Sequence, residues 1–456
     1  MPSTRSIPYQ PGRLLVGHLF EARNRRIPLL VELAREHPDV VRIRVGLSNI
    51  VALNSPALIH QLLVEHHAAV RPNYMLQLFA EPLLGQGLLR LERAAHLKRR
   101  RTIAPAFMPR RIQHYAQEMI DRAERAAQRM HGRGEVDIVS ECMRVTFSIA
   151  GKTLFGAEVE SEVDRVGRAL REVIDRISRC MTQLVPVPAM LPTLGNLGLR
   201  RAVRRLDRLV YQMLAERRAS SEDRGDLLQI LLETRDAEDG SALTDRQIRD
   251  EAMTQYLAGH ETTANTLAWA LCFLGRAPAA RARLEAEVDA VTGGRPLQPS
   301  DLPKLTWTLQ VIKETLRLCP AVYCFARMLE RPVNIGPYPL SKRDVVVVNI
   351  IGMHRRPDLY ADPDRFAPER FDPERERALP AHAFIPFSLG PRNCMGSHFA
   401  LMEAQLVLAT WLRRLRFDSL STALPDFEAL FTLRPKGAVR MRVSERSPAR
   451  VERAAP

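Results

Sequence analysis

The stretch Phe387-Ser388-Leu389-Gly390-Pro391-Arg392-Asn393-Cys394-Met395-Gly396 decides the fold of this 456-residue chain. Two glycines and a proline predict a tight loop that presents one cysteine just before an amphipathic segment, residues 399–415. Loop amides and the amino end of a helix stabilise a thiolate, as an anionic metal ligand requires. A lone cysteine is more often a buried structural residue, so this stretch alone leaves both interpretations open.

The stretch matches the pattern FxxGxRxCxG at every fixed position and resembles the cysteine loop of the cytochrome P450 family. The resemblance implies that Cys394 is the metal ligand and binds the iron of haem b. Phe387, Gly390, Arg392 and Gly396 would then contact the cofactor. It also implies a mainly α fold with a small β region, in which the haem lies between a long central helix and the helix after the cysteine loop.

The long central helix is visible in the sequence itself. Thr244 and Gln247 form a capping-box pair, and the chain then runs largely apolar through Leu274 until Pro278. This pattern predicts a helix of about thirty residues, roughly 45 Å long. A helix of that length and character is expected to cross the core.

Within this helix, Ala258-Gly259-His260-Glu261-Thr262-Thr263 resembles the oxygen-activation segment of the family. The resemblance implies that Ala258 and Gly259 lie against the haem and that Gly259 lets the helix bulge. Thr262 would hydrogen-bond the dioxygen and Glu261 would supply protons as the two catalytic residues. In the other interpretation, the threonines bond back to preceding carbonyls and Glu261 reaches solvent.

Three charged residues are predicted to form a structural network. Glu314 and Arg317 are three residues apart, which places them on one helix face within ion-pair reach. Such a pair is usually solvated, but here it resembles the ExxR pair of the family, and Arg370 in a Pro-Glu-Arg-Phe segment resembles its third member. The resemblance predicts a buried network that supports the cysteine loop.

The resemblance also implies arginines that would meet the two haem propionates, which are carboxylates suited to bidentate guanidinium pairing. Aligned by motif, these are Arg100, Arg327 and Arg392. His96 stands four residues before Arg100, where the family often has tryptophan, and could donate a hydrogen bond to a propionate.

The resemblance also places a largely apolar substrate pocket. Its predicted lining consists of Tyr74, Leu78, Leu84, Leu184, Asn265, Val322, Tyr323, Phe325 and Phe431. This lining predicts a fatty acid, terpenoid, steroid or polyketide as the substrate, without choosing among them.

Composition and charge exclude several other classes. The 67 basic and 52 acidic residues give a formal net charge of +15, but the basic residues are scattered, and no zinc-finger or RNA-binding motif accompanies them. Nucleic-acid binding is therefore not expected. The run Lys98-Arg99-Arg100-Arg101, with Arg110 and Arg111, is either a solvated helix face or a docking patch for an acidic electron donor.

The order of elements predicts one domain over residues 1–456. Its β-rich parts are expected near residues 40–55, where a hairpin pattern occurs, and 320–390; the helical parts are 56–318 and 395–416. There is no GxSxG, P-loop or HExxH motif. Gly85-Gln86-Gly87 starts like a dinucleotide loop, but Arg90 occupies the place of the third glycine.

The six cysteines form no CxxC pair, which fits a reducing cytoplasm, and no stretch has the ~18 apolar residues of a membrane anchor. The sequence predicts a soluble, monomeric haem-thiolate monooxygenase of the bacterial type. No flavin or iron–sulfur domain precedes Pro456, so NAD(P)H would act indirectly, through a ferredoxin or flavodoxin with its reductase. The alternatives are a peroxide-dependent peroxygenase, which would not need Glu261 and Thr262, and a non-catalytic haem sensor.

Overall fold

The computed structural model describes residues 5–72, 74–158, 163–182, 193–220, 224–235 and 240–446. Helices make up 57% of the structure and strands form a small second part, which confirms the mainly α prediction. The helices are α1 Leu19–Asn24, α2 Arg26–Glu36, α3 Pro56–His60, α4 Tyr74–Phe79, α5 Glu81–Leu84, α6 Arg93–Ile103, α7 Pro109–His114, α8 Ala116–Met130, α9 Ile138–Phe155, α10 Val163–Thr182, α11 Leu194–Ala219, α12 Leu227–Glu233, α13 Asp245–Leu274, α14 Pro278–Thr292, α15 Thr306–Leu318, α16 Ile350–Met353, α17 Pro373–Ala378 and α18 Ser397–Arg414.

In the described part of the chain, the strands belong to four sheets. They are β1 Val40–Val45, β2 Ser48–Leu53, β3 Val70–Pro72, β4 Gly134–Asp137, β5 Phe325–Leu329, β6 Val333–Ile335, β7 Tyr338–Leu340, β8 Val345–Val348, β9 Leu415–Ser419, β10 Phe427–Ala429, β11 Leu433–Pro435 and β12 Arg440–Glu445. The largest sheet has the order β1-β2-β8-β5-β3, and a second has the order β4-β12-β9; β6 pairs with β7, and β10 with β11. The predicted hairpin is β1 and β2, in the register Val40 to Leu53.

Helix α13 forms the centre of the core, as the sequence predicts. Thr244 accepts from the backbone of Gln247, and the side chain of Gln247 accepts from the backbone of Thr244, so the capping box is present. The helix packs against α9, α11, α15 and α18, and most of its residues are buried. The indole of Trp269 donates a 3.2 Å hydrogen bond to the carbonyl of Leu433, which connects α13 to strand β11.

The Gly85-Gln86-Gly87 turn is docked on α13 and is not a nucleotide loop. Gly85 has a φ of +45°, and a Cβ there would lie 2.1 Å from the carboxylate of Asp250. That carboxylate accepts from the amide of Gln86 at 2.8 Å, and Glu251 accepts from the amide of Leu88 at 3.1 Å. The glycines therefore allow the close approach of this loop to the central helix.

The structure contains short strands that the sequence pattern does not indicate. Strands β3, β4 and β9 to β12 have three to six residues and lie outside the two predicted β-rich parts. They form by pairing with distant segments; β4, for example, pairs with β12. That the chain is a single domain stays a prediction. Within the described ranges, no helix is both long enough and apolar enough to cross a membrane.

Candidate functional site

The cysteine loop is fixed by backbone hydrogen bonds and by a glycine. The amide of Cys394 donates to the carbonyl of Phe387 at 2.9 Å, and the amide of Asn393 donates to the carbonyl of Gly390 at 3.0 Å. Gly390 has a φ of +71°, and a Cβ there would lie 2.1 Å from the carbonyl oxygen of Leu63. Both the conformation and the space at this position therefore require glycine.

Protein surrounds the Cys394 thiol on most sides, although solvent still reaches the side chain. Burial raises the pKa of the thiol, while the backbone amide of Gly396 and the charge of Arg100 lower it. Arg100 is held beside the loop, because its guanidinium donates to the carbonyl of Asn393 at 2.8 Å and to its side chain. The donors around sulfur thus favour its anionic form, as a metal-bound thiolate needs.

One cluster brings together Arg100, Arg327, Arg392 and His96, and within the described ranges no carboxylate pairs with Arg327. Burial, followed by the charge of Arg392, lowers the pKa of Arg327 to about 10. Burial and the charges of the three arginines lower the pKa of His96 to about 4. Among the described residues, Arg327 donates only to the carbonyl of Ala326, and its buried Nε has no hydrogen-bond partner. The cluster is therefore suited to bind an anion.

Glu314 and Arg317 form a buried bidentate pair on α15. Both side chains are 0% exposed, and the two pairs of atoms lie 2.7 Å apart. Glu314 also accepts from the amide of Ala367 at 2.9 Å, and Arg370 lies 3.5 Å from the same carboxylate. The three residues predicted to form a network are thus neighbours.

His354 connects this network with the cysteine loop, a link that sequence analysis did not find. Arg317 donates to the carbonyl of His354 at 2.9 Å, and the ring Nε2 of His354 accepts from the amide of Ile385 at 3.1 Å. Ile385 lies two residues before Phe387 at the start of the loop. Burial and the charge of Arg317 lower the pKa of His354 to about 3, so the ring stays neutral and can accept this bond.

The side chains of Glu261 and Thr262, which are neighbours on α13, form hydrogen bonds with different partners. Thr262 is partly accessible and donates to the carbonyl of Ala258 at 2.7 Å. Glu261 is 2% exposed and accepts from Thr432 at 2.7 Å. The threonine therefore bonds back along the helix, as one interpretation expects, but Glu261 does not reach solvent.

The bulge expected at Gly259 is absent, and that expectation is wrong. Helix α13 is α-helical from Asp245 to Leu274. Thr262 and Thr266 donate to carbonyls four residues earlier at 2.7 and 2.9 Å, which adds bonds to these carbonyls while the helix stays regular.

The predicted pocket residues occupy varied positions. Leu78, Val322, Phe325 and Phe431 are partly buried, Leu84 is buried, and Leu184 and the side chain of Tyr74 lie outside the described residues. Two buried members have polar partners inside the protein. Tyr323 donates to the carbonyl of Leu430 at 2.9 Å, and Asn265 donates to Thr432 at 3.1 Å. Their position as substrate contacts stays a prediction.

The basic run is not a uniform patch. Arg99 is 7% exposed and lies 3.5 Å from Glu251, so its place in a docking face is wrong. Arg100 turns to Asn393, and Arg111 donates to the carbonyl of Gly225. The exposed members of the predicted patch are Lys98, Arg101 and Arg110.

Sequence reasoning also missed two buried polar residues next to the functional helices. Thr432 joins Glu261 to β11, but a single threonine in a loop carries no signal of that contact. Glu403 on α18 is 0% exposed, neither carboxylate oxygen has a hydrogen-bond partner among the described residues, and burial raises its pKa well above the usual range. An acid inside the apolar segment 399–415 was the available signal.

Comparison with known proteins decides the family. The Cytochrome P450 family model matches residues 7–440. The chain belongs to the cytochrome P450 family. Cyclooctatin synthase of Streptomyces melanosporofaciens is 34% identical over 89% of each chain. Pentalenene oxygenase of Streptomyces avermitilis is 32% identical over 96% of this chain and 97% of its own. Cyclooctat-9-en-7-ol 5-monooxygenase of Streptomyces melanosporofaciens is 32% identical over 89% of this chain and 88% of its own.

This cytochrome P450 is a haem-thiolate monooxygenase that acts on a hydrophobic molecule, with haem iron, dioxygen and electrons from redox partners. The residues present fit a haem. Its two propionates would supply the anions that the Arg327 cluster lacks, and the thiol of Cys394 has the donors that an anionic sulfur ligand needs.

Arg327→Leu is expected to have opposite effects on the two forms of the P450. In the haem-free protein, removing a buried cation relieves repulsion with Arg392 and raises the free energy of unfolding. In the haem-loaded protein, loss of a propionate partner weakens haem binding by about 100-fold. Haem transfer to an acceptor protein and urea unfolding of both forms measure these effects. A variant that keeps haem as tightly as the parent contradicts the assignment.

Acid is expected to destabilise the P450 through His354. The ordinary pKa of histidine is 6.5 and the folded value is about 3, so the unfolded chain binds the proton more readily. The contribution of the neutral ring is complete above pH 6.5 and is lost as the pH falls toward 3. Relative to His354→Gln, the free energy of unfolding should fall by about 1.4 kcal/mol per unit below pH ~6. Equal pH slopes in urea titrations would exclude this role.

Proposed function

We propose that this P450 oxidises a terpenoid, by hydroxylation or epoxidation of its hydrocarbon skeleton. The observation that supports this class is the similarity to three bacterial terpenoid-modifying enzymes over at least 88% of either chain. The mostly apolar side chains of the predicted pocket agree with such a substrate. Fatty acids, steroids and polyketides remain the competing classes.

Cys394, Arg100, Arg327, Arg392 and His96 are the residues that would hold haem b. When bound, haem b supplies the activation of dioxygen and the transfer of one oxygen atom, which thiolate donation promotes. The protein orients the cofactor through its charges. The guanidinium groups would neutralise the propionates, and neutral His96 could donate one hydrogen bond. The amide of Gly396 and the charge of Arg100 would stabilise negative charge on sulfur.

Glu261 is proposed to supply protons for the reaction, and Thr262 is proposed to deliver them. The hydroxyl of Thr262 is the accessible polar group of this segment and can rotate from the carbonyl of Ala258 to a ligand. Glu261 is held out of solvent one residue away and can exchange a proton with the protein interior. This arrangement would separate proton supply from the substrate and keep bulk water away from it.

Electrons are proposed to come from NAD(P)H through a reductase with a ferredoxin or flavodoxin. Lys98, Arg101 and Arg110 are the exposed cations that could meet the acidic face of such a carrier, since complementary charge raises the encounter rate.

We propose a monomer that works in the cytoplasm. The free cysteines Cys142, Cys272, Cys319, Cys324 and Cys394 agree with a reducing compartment.

Thr262→Ala is expected to uncouple electron use from product formation. Without the hydroxyl, proton delivery loses its direction, and reduced oxygen leaves as peroxide. Product formed per NAD(P)H should fall roughly 10- to 100-fold while substrate affinity is unchanged. Thr266→Ala, which removes a hydroxyl that bonds back to the carbonyl of Thr262, is the matched control. Equal coupling in Thr262→Ala and the parent contradicts a role for Thr262 in proton delivery.

The substrate class is tested by a binding screen followed by turnover. Terpene hydrocarbons, fatty acids, steroids and macrolides are titrated against the haem protein, and displacement of solvent is measured as a spin-state shift in the haem spectrum. Terpenes should give the largest shift, and product should form with NAD(P)H, ferredoxin and reductase. Preference for another class refutes the terpenoid proposal. Product with peroxide alone indicates a peroxygenase, and binding without product indicates a sensor.

A further inference from the structure

Three buried side chains connect the central helix α13 to the residue before strand β11, which pairs with β10. Glu261, Asn265 and Thr432 are 2%, 0% and 1% exposed. The hydroxyl of Thr432 donates to the Oε1 atom of Glu261 at 2.7 Å, and the amide nitrogen of Asn265 donates to the hydroxyl oxygen of Thr432 at 3.1 Å. Thr432 lies directly before β11, so the contact links a strand end to the oxygen-activation segment.

The hydrogen bonds among Asn265, Thr432 and Glu261 all run one way, from Asn265 to Thr432 and from Thr432 to Glu261. A hydroxyl carries one proton, and the amide of Asn265 already occupies a lone pair of Thr432. The proton of Thr432 is therefore directed to Glu261. A hydrogen bond to the charged form of a carboxyl group favours that form and fixes the orientation of the side chain. Glu261 is thereby held to Thr432, whereas Thr262 donates to the carbonyl of Ala258.

Glu261 also lines a cavity of about 500 Å³ between α9, α10, α13 and β11, whose wall combines apolar and charged side chains. Charged and titratable side chains from each of these elements face it, namely Arg144, Arg168, Glu172, Asp175, His260 and Arg434. Arg434 is engaged by Asp175 at 2.8 Å and by Glu428 at 2.6 Å. A cavity with this lining can hold water and conduct protons to a carboxylate at its wall.

We propose that Thr432 is a positioning residue that holds the Glu261 carboxylate toward this cavity, from which Glu261 takes up the protons used in the reaction. In each cycle the carboxylate accepts a proton from cavity water, turns from Thr432 and releases the proton toward Thr262, returning to its charged form. The bond from the Thr432 hydroxyl is a single hydrogen bond from a neutral donor, which the carboxylate can exchange as it turns, while the charge of Arg434 also acts on Glu261. The inference rests on the proposed role of Glu261 in proton supply.

The test follows the Glu261 carboxyl group directly in the resting haem protein. Its infrared stretching band is identified as the band missing in Glu261→Gln and is titrated with pH in the parent, Thr432→Val and Thr432→Ser. Valine keeps the shape of threonine and removes the donor. The midpoint should rise by about one pH unit in Thr432→Val, while Thr432→Ser, which keeps the hydroxyl, should restore the parent value.

Turnover supplies a second readout. Thr432→Val should lower kcat several-fold and alter its pH profile, with KM for the substrate unchanged. An unchanged infrared midpoint in Thr432→Val overturns the inference even if Thr262→Ala is uncoupled. Conversely, a shifted midpoint together with full coupling in Glu261→Gln would uphold the contact and refute the proposed function of Glu261. A midpoint that shifts equally in the valine and serine variants would assign Thr432 a packing role only.

Discussion

Cys394→Ala is expected to abolish the red-shifted Soret band of the reduced, carbon-monoxide-bound protein, together with all monooxygenation. That band reports a thiolate bound to haem iron, and the other free cysteines cannot replace Cys394. They lie in other parts of the fold: Cys142 is on α9, Cys272 on α13, and Cys319 and Cys324 follow α15, so none of them is in the cysteine loop. The carbon monoxide difference spectrum of the reduced variant is the measurement.

The variant is expected to fold, which keeps the spectroscopic result interpretable. The change removes a single sulfur atom, and the loop hydrogen bonds from Cys394 to Phe387 and from Asn393 to Gly390 are made by backbone atoms that the variant keeps. Cys324→Ala removes another free cysteine and should retain the band. Survival of the thiolate-type band in Cys394→Ala would exclude Cys394 as the ligand.

Arg317→Leu is expected to lower the free energy of unfolding by about 3–5 kcal/mol, because it leaves the carboxylate of Glu314 buried without its partner. The change also removes donors to the carbonyls of His354, Pro363 and Arg365, which hold the chain before the cysteine loop. Loss of these bonds should reduce the haem content of the purified protein. Urea unfolding and haem absorbance measure the two effects.

A matched control is the exposed pair of Arg365 and Glu369, whose side chains are 64% and 37% exposed at 3.0 Å. Arg365→Leu should change the free energy of unfolding by less than about 1 kcal/mol, since exposed pairs contribute little. A loss in Arg317→Leu no greater than in Arg365→Leu would mean that the buried pair does not support the fold.

The parts of the fold that the sequence predicts are those set by local chemistry. The capping box at Thr244 and the apolar run to Leu274 determine α13, and the FxxGxRxCxG pattern determines the cysteine loop. Gly390 can be understood from the sequence alone as a turn residue, although its close approach to Leu63 cannot. Strands such as β4 and β12 depend on long-range pairing, which has no local signal.

The residues of the candidate site also fall into two groups, those that local sequence predicts and those that only the tertiary structure reveals. Motif spacing gives Glu314 and Arg317, because both lie on one turn of one helix. It fails for Arg99, since a run of four basic residues does not show which side chain turns inward to Glu251. Thr432 and His354 act through contacts 171 and 31 residues away along the chain. Only the tertiary structure brings these partners together.

The activity assigned to this protein is the transfer of one atom of dioxygen to a hydrophobic substrate. Turnover of a terpene under ¹⁸O₂ with NAD(P)H, ferredoxin and reductase, followed by mass spectrometry of the product, tests it most directly. We expect one ¹⁸O atom in each product molecule and no labelled product in Cys394→Ala. Product that carries oxygen only from water, or that forms only with added peroxide, would contradict it.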